Sequence, residues 1–194
     1  MFLIQNEVIM KYKFLLFLSF SLLFFSCGSN KDLAATKAQK ERLQNMISNS
    51  SFVINSDWAN PRATTSFIQV ANSGLLPPGS NASNINLIGN DNYLKFHKDS
   101  VMIELPFYGE RQMGGGYNNS SGFSYAGLYD DYKMNYSSKK GFYTIKFNVK
   151  IKTESLNISI RLYDNLKSSM IINSSHRTSI SYEGNVSELD MNNK

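Results

Sequence analysis

The chain has 194 residues, with 20 basic and 15 acidic side chains, a formal net charge of +5, one cysteine and two histidines. A lone cysteine excludes any intramolecular disulfide, and so few soft ligands leave no zinc shell. The mild positive charge falls far short of a nucleic-acid-binding signature, so no nucleic acid partner is expected.

The N-terminus reads as an export signal. Lys11 and Lys13 precede an apolar run, Phe14 to Phe25, broken only by Ser19 and Ser21, and Ser26-Cys27 follow. The run is too short to span a bilayer, which needs about 20 residues. A small residue before a lone cysteine at the end of such a run is the arrangement of a lipoprotein signal peptide, assigned to residues 1–26, with Cys27 as the lipidated residue. Met10 begins a tidier signal than Met1. One acyl chain binds membranes marginally, and stable anchoring takes two or more. The expected membrane partner is therefore reached through lipid on Cys27, in the cell envelope, as an outer membrane lipoprotein facing the periplasm or the cell surface.

Residues 27–50 read as a lipid-anchored tether and an N-terminal helix. Asp32 is placed to cap a helix starting near Leu33, and Leu43, Met46 and Ile47 fall at i, i+3 and i+4 near its end. From Phe52 the hydrophobic period becomes two. Tyr143, Ile145, Phe147, Val149 and Ile151 alternate with Thr144, Lys146, Asn148 and Lys150, and Leu156, Ile158, Ile160 and Leu162 repeat the pattern. Shorter alternations place Leu94 with Phe96, Val101 with Ile103 and Leu105, and Tyr132 with Met134 and Tyr136. Further strands are predicted over Phe52 to Trp58, Phe67 to Ala71, Ser168 to Asn173 and Thr178 to Tyr182. Turns at Lys98-Asp99, Lys139 to Gly141, Thr153-Glu154, Asp164-Asn165 and Ser174 to His176 are short enough to join only antiparallel neighbours. The expected fold is mainly β, an antiparallel up-and-down meander of about eight or nine strands, barrel or sandwich, over residues 51–187, with one N-terminal helix and a polar tail at 188–194.

Chemistry is sparse along this frame. His97 falls on a polar strand face and His176 in a turn, and neither is accompanied by the nucleophile and carboxylate of a hydrolytic triad. No catalytic set, metal site or cofactor is expected. Two surfaces stand out. Seven of the tyrosines lie between residues 108 and 143, and Tyr108 and Tyr117, with Glu110 and Arg111, border a glycine-rich loop. A ring with a polar tip in such a loop suits ligand contact, so these four residues form the candidate partner loop. The polar strand face is basic, with Lys146, Lys150 and Arg161 outward and Lys133, Lys139 and Lys140 nearby, suited to anionic glycans or lipid headgroups.

Several segments together resemble the family known as domain of unknown function 4251, small lipoproteins of the Bacteroidota. They are Phe52-Val53 with Ala59-Asn60-Pro61, Gly74 to Gly79, Asn92-Tyr93-Leu94, Lys98 to Val101, the run Leu105 to Tyr117, and Asn173 to Gly184. The resemblance covers roughly residues 40–187 and implies an exported lipoprotein without implying an activity. The expected function is a non-enzymatic binding or interaction module with an envelope protein or glycan partner. Alternatives are a glycan-active enzyme using carboxylates such as Glu104, Glu110, Asp130 or Asp131, and a structural envelope subunit.

Overall fold

The structure, a computed structural model, describes residues 35–113 and 122–190. Residues 1–26, where a signal peptide is expected, and Cys27 and Tyr117 lie outside those residues. Helix α1, Lys37–Ser48, begins at a capping box in which Thr36 accepts from the Gln39 backbone while the Gln39 side chain accepts from the Thr36 backbone. The described helix starts after Thr36 and buries Leu43, Met46 and Ile47 as the spacing predicts, while Asp32 and Leu33, the cap and start expected from sequence, lie outside the described residues.

Ten strands follow: β1 Ser51–Pro61, β2 Ile85–Asn86, β3 Tyr93–His97, β4 Ser100–Pro106, β5 Gly122–Leu128, β6 Asp130–Ser137, β7 Phe142–Ile151, β8 Glu154–Tyr163, β9 Lys167–Ser174 and β10 Ile180–Glu188. A second helix, α2 Thr65–Asn72, stands where a strand over Phe67 to Ala71 was expected. Two features explain the difference. Thr64 caps the segment by accepting from the Phe67 backbone, and only Phe67 is buried, whereas Ile68 and Val70 face solvent. Without a period-two face to bury, the β-branched content of the segment does not make it a strand.

The strands pair in the order β5-β4-β3-β1-β10-β9-β8-β7-β6, with the short β2 beside β1. Every pairing is antiparallel. Eight pairings separate the two ends of this path, an even number, so β5 and β6 run in the same direction. Only Tyr129 lies between them in sequence. They are therefore two halves of one bent strand whose first half pairs with β4 and whose second half pairs with β7. The bend brings the two edges of the sheet together and leaves a nearly closed barrel of eight staves, a size at which side chains fill the interior.

An aromatic cluster seals the bend. The Tyr129 ring lies 5.5 Å from Phe96 and 5.6 Å from Phe147, and its hydroxyl donates to the Lys98 carbonyl at 3.0 Å. Phe96 in turn stacks on Phe52 at 4.8 Å. Inward residues of the other staves, among them Ile54, Leu94, Ile103, Ile145, Ile160 and Ile172, are almost completely buried. Helix α1 covers the end at which β1 begins, here called the upper end. The seam at β6 is looser: Tyr132 and Met134 follow the inward period, yet are 40% and 47% exposed, because no strand pairs with the free edge beside them. Tyr132 is thus a seam residue, not the core residue its spacing predicted.

Strand β1 carries a bulge between Ser56 and Trp58, which moves the inward set from Phe52, Ile54 and Ser56 to Ala59 and Pro61. Asn92 repairs the bulge: its side-chain oxygen accepts from the Ser56 backbone at 2.9 Å and its amide donates to the Ser56 carbonyl at 3.0 Å. This single amide side chain replaces a missing strand neighbour.

Candidate functional site

The loop leaving β4 is strapped to the lower end of the barrel. The Glu110 backbone N–H donates to Thr178 Oγ1 at 3.2 Å and its carbonyl accepts from the Thr178 backbone at 3.0 Å. Arg111 forms an antiparallel bridge with Arg177, and the Gln112 backbone donates to the His176 carbonyl at 2.7 Å. The Glu110 carboxylate accepts from Thr64 Oγ1 at 2.6 Å, and hydrogen bonds from Thr64 and Ser66 hold it below the ordinary carboxylate range. Tyr108 is half-buried against the core, and burial pushes its phenol up. Gly109 sits at φ +151°, where a Cβ would lie 2.6 Å from Thr178 Oγ1, so the strap needs glycine there. Of the four predicted loop residues, the structure brings Tyr108, Glu110 and Arg111 together, each engaged by the barrel end.

Beneath this strap lies an ion pair that sequence reasoning missed. Glu154 is the first inward residue of β8, and Arg177 reaches it from the β9–β10 connection, both about 6% exposed. Nη2 donates to Oε2 at 3.1 Å and Nη1 to the Gly122 carbonyl at 3.0 Å. Nε is 2.9 Å from Oε1 but points off the hydrogen-bond direction, and Oε1 instead accepts from Ser174 Oγ. The guanidinium lies over Phe107 and Phe123, 5.2 and 4.6 Å from the ring centres. This plug closes the lower end. The signal was present: carrying the β8 alternation back two residues from Leu156 lands on Glu154, which belongs to the strand and not to the turn expected at Thr153-Glu154.

Among the described residues one continuous hydrophobic core occupies the barrel interior, and a cluster of cations sits on the outer face. A shallow depression of about 660 Å³ crosses the upper half of β6, β7 and β8. Lys133 stands directly opposite Lys146, Lys146 opposite Ser159, and Arg161 opposite Thr144. Lys140 closes the rim from the β6–β7 turn, and the Arg161 guanidinium lies 5.6 Å from the Phe142 ring. Four cations line this groove and no carboxylate does. Of the basic residues singled out from sequence, Lys150 lies lower on the same face, in a second depression with Asp130 and Asp131.

Those two aspartates share one depression. Adjacent strand residues ordinarily point to opposite faces, but an irregularity between Asp130 and Lys133, with Asp131 at φ 54°, turns both toward one depression. Asp131 accepts from the Asn148 amide at 2.8 Å. The other carboxylates named as acid and base stand apart, Glu104 on the exposed face of β4 and Glu110 in the strap. His97 lies at the upper end in β3. His176 lies in the lower connection, its Nδ1 2.7 Å from Ser175 Oγ. Among the described residues no three His, Cys, Asp or Glu side chains are grouped to hold a metal.

Comparison with known proteins bears on the fold. The profile of the family described as Domain of unknown function (DUF4251) matches residues 34–186. A crystal structure of a DUF4251 family protein from Bacteroides eggerthii superposes with a TM-score of 0.55, at 15% sequence identity, covering 80% of this chain and 91% of that one. At that identity the likeness concerns the fold alone. Comparison with curated proteins gives no match.

Proposed function

This chain belongs to the DUF4251 family, and from that premise we propose that it is an exported, lipid-anchored protein of the bacterial envelope whose barrel is a non-enzymatic binding module for anionic groups. The anchor half rests on Lys11 and Lys13, the apolar run to Phe25, and Cys27 directly after Ser26. The binding half is carried by one observation: the groove of Lys133, Lys140, Lys146 and Arg161, which no carboxylate lines.

Like charges directly opposite on a sheet repel, so the Lys133–Lys146 pair costs stability that an anion between them would recover. Thr144 and Ser159 supply hydroxyl groups beside the cations, and Arg161 offers a planar fork suited to carboxylate or phosphate. The groove is open and shallow, which fits reversible capture of an extended or multivalent anion. The continuous buried core of the described residues supports the same reading, because it directs contact to the outer surface.

Each half has its own test. Mass spectrometry of the native protein is expected to find acyl chains on Cys27, and a free thiol there ends the anchor reading. Titration with inorganic polyphosphate, followed by amide NMR shifts, is expected to move the upper residues of β6–β8. The double variant Lys133→Gln/Lys146→Gln should abolish the effect while keeping the dispersed spectrum of a folded barrel. Shifts that survive in the variant, or fall elsewhere, end the binding reading.

A further inference from the structure

Building on the lipid-anchor reading above, we propose that the basic groove lies against the membrane that holds the anchor and takes anionic lipid headgroups, so that tether and groove form one two-point attachment. Three observations carry this. The first is where the chain leaves the barrel. Helix α1 is laid across the upper end with its first turns over the β6–β7 and β8–β9 turns: Lys40 Nζ is 5.4 Å from the Tyr136 ring and 3.8 Å from Asp164 Oδ2. Tyr136 directly precedes Ser137, and Ser137 and Lys140 line the groove. Through Lys40 the first turn of α1 thus reaches Tyr136, the immediate neighbour of Ser137 on the rim of the groove.

The second observation is length. Thr36 follows Cys27 by nine residues, and nine residues reach at most about 30 Å when fully extended. A ten-residue strand such as β7 is about as long, ~33 Å. The tether therefore keeps the upper end within about one barrel length, ~30 Å, of the surface in which the acyl chains sit, close enough for the groove to reach that surface.

The third is the distribution of charge along one face. The upper half of β6–β8 presents four cations and no acid, while the lower half of the same face presents Asp130 and Asp131 beside Lys150. An anionic surface at the tether end attracts the first set and lies farthest from the second. Each cation within a Debye length of such a surface strengthens attachment by about fivefold. A basic patch is the kind of second signal that converts marginal lipid anchoring into stable anchoring.

The test is lysine footprinting on the native full-length protein in vesicles of phosphatidylcholine alone and of phosphatidylcholine mixed with phosphatidylglycerol. Acetylation of Lys133, Lys140 and Lys146 is expected to fall by about threefold or more in the anionic vesicles and to recover at high salt. Lys95, on the outer face of β3 across the barrel, should react equally in both. Equal reactivity of the groove lysines in the two vesicle types overturns the proposal, as does uniform protection of all lysines. Protection by soluble polygalacturonate with none by anionic vesicles also overturns it, assigning the groove to glycans. Failure of the anchor reading shows separately, as an unacylated Cys27 with no flotation on neutral vesicles, and groove protection by added anionic vesicles is still read in that case.

Discussion

Arg177 and Glu154 meet inside the lower mouth of the barrel, joined by an Nη2–Oε2 hydrogen bond of 3.1 Å and roofed by Phe107 and Phe123. Removing one partner strands a buried charge. Arg177→Ala or Glu154→Ala is therefore expected to cost about 3–5 kcal/mol, whereas Glu154→Leu with Arg177→Met should recover most of that loss. Chemical denaturation of the three variants checks this, and a double variant no better than the singles would show that the ion pair is specifically required.

Asn92 supplies the donor and acceptor that the β1 bulge leaves without strand partners. Asn92→Ala exposes no new surface but leaves the Ser56 N–H and C=O unpaired in a buried site, at about 1–3 kcal/mol for each group. The close approach of Gly184 to the same bulge gives a second handle. A Cβ there would sit 2.0 Å from the Asn55 carbonyl oxygen, so Gly184→Ala should be destabilising by about 1–3 kcal/mol through forced backbone shifts. Melting temperatures of both variants are the measurement.

Glu110 gives acid sensitivity. Its folded carboxyl titrates below the ordinary value of 4.5 because Thr64 and Ser66 donate to it. A depressed value means that the contribution is present above the unfolded value and is lost as pH falls through the folded one. The stability gap between wild type and Glu110→Gln should therefore be constant from neutral pH down to about 4.5 and close below it. Thermal melts across that range test the sign.

Tyr182 gives the alkaline counterpart. Its ring is buried in the core and its hydroxyl donates to the Pro106 carbonyl at 2.8 Å, so burial raises its ionisation well above the ordinary tyrosine value of 10.0. The proton is held more tightly in the folded state, so its contribution is complete below pH 10.0 and declines as pH rises beyond it. Tyr182→Phe should lose about 1 kcal/mol at neutral pH with the hydrogen bond. It should also show a shallower fall of stability at high pH than wild type.

Tyr108 and Arg111 tie the strap to the barrel. Tyr108→Ala is expected to lower stability by about 1–3 kcal/mol, because it empties a half-buried site against the core. A variant that keeps its melting temperature while losing a binding partner would instead return this loop to the ligand-facing role its tyrosines suggested.

Much of this architecture was legible because the β-strand pleat is a local property. The alternation through Ile145, Phe147 and Val149, and through Ile158, Ile160 and Leu162, named the buried side chains correctly, and short turns forced antiparallel neighbours. The misses share a cause as well. Segment 67–71 carries β-prone residues, but Thr64 capping and a single buried Phe67 decided for helix. Glu154 obeyed the inward rhythm, yet nothing near it in sequence announced Arg177, 23 residues on. The basic groove was visible as scattered lysines, and its lack of carboxylates emerged only when three strands were laid side by side.

Length, composition and period by themselves determined an antiparallel β chain, and they supplied the expectation of export with one candidate lipid site. The tertiary structure alone decided between barrel and sandwich. That choice depends on β1 pairing with both β3 and β10, and on one strand bending at Tyr129 to join the two edges. These contacts span most of the chain and arise from accumulated sheet twist, which no local pattern of side chains encodes.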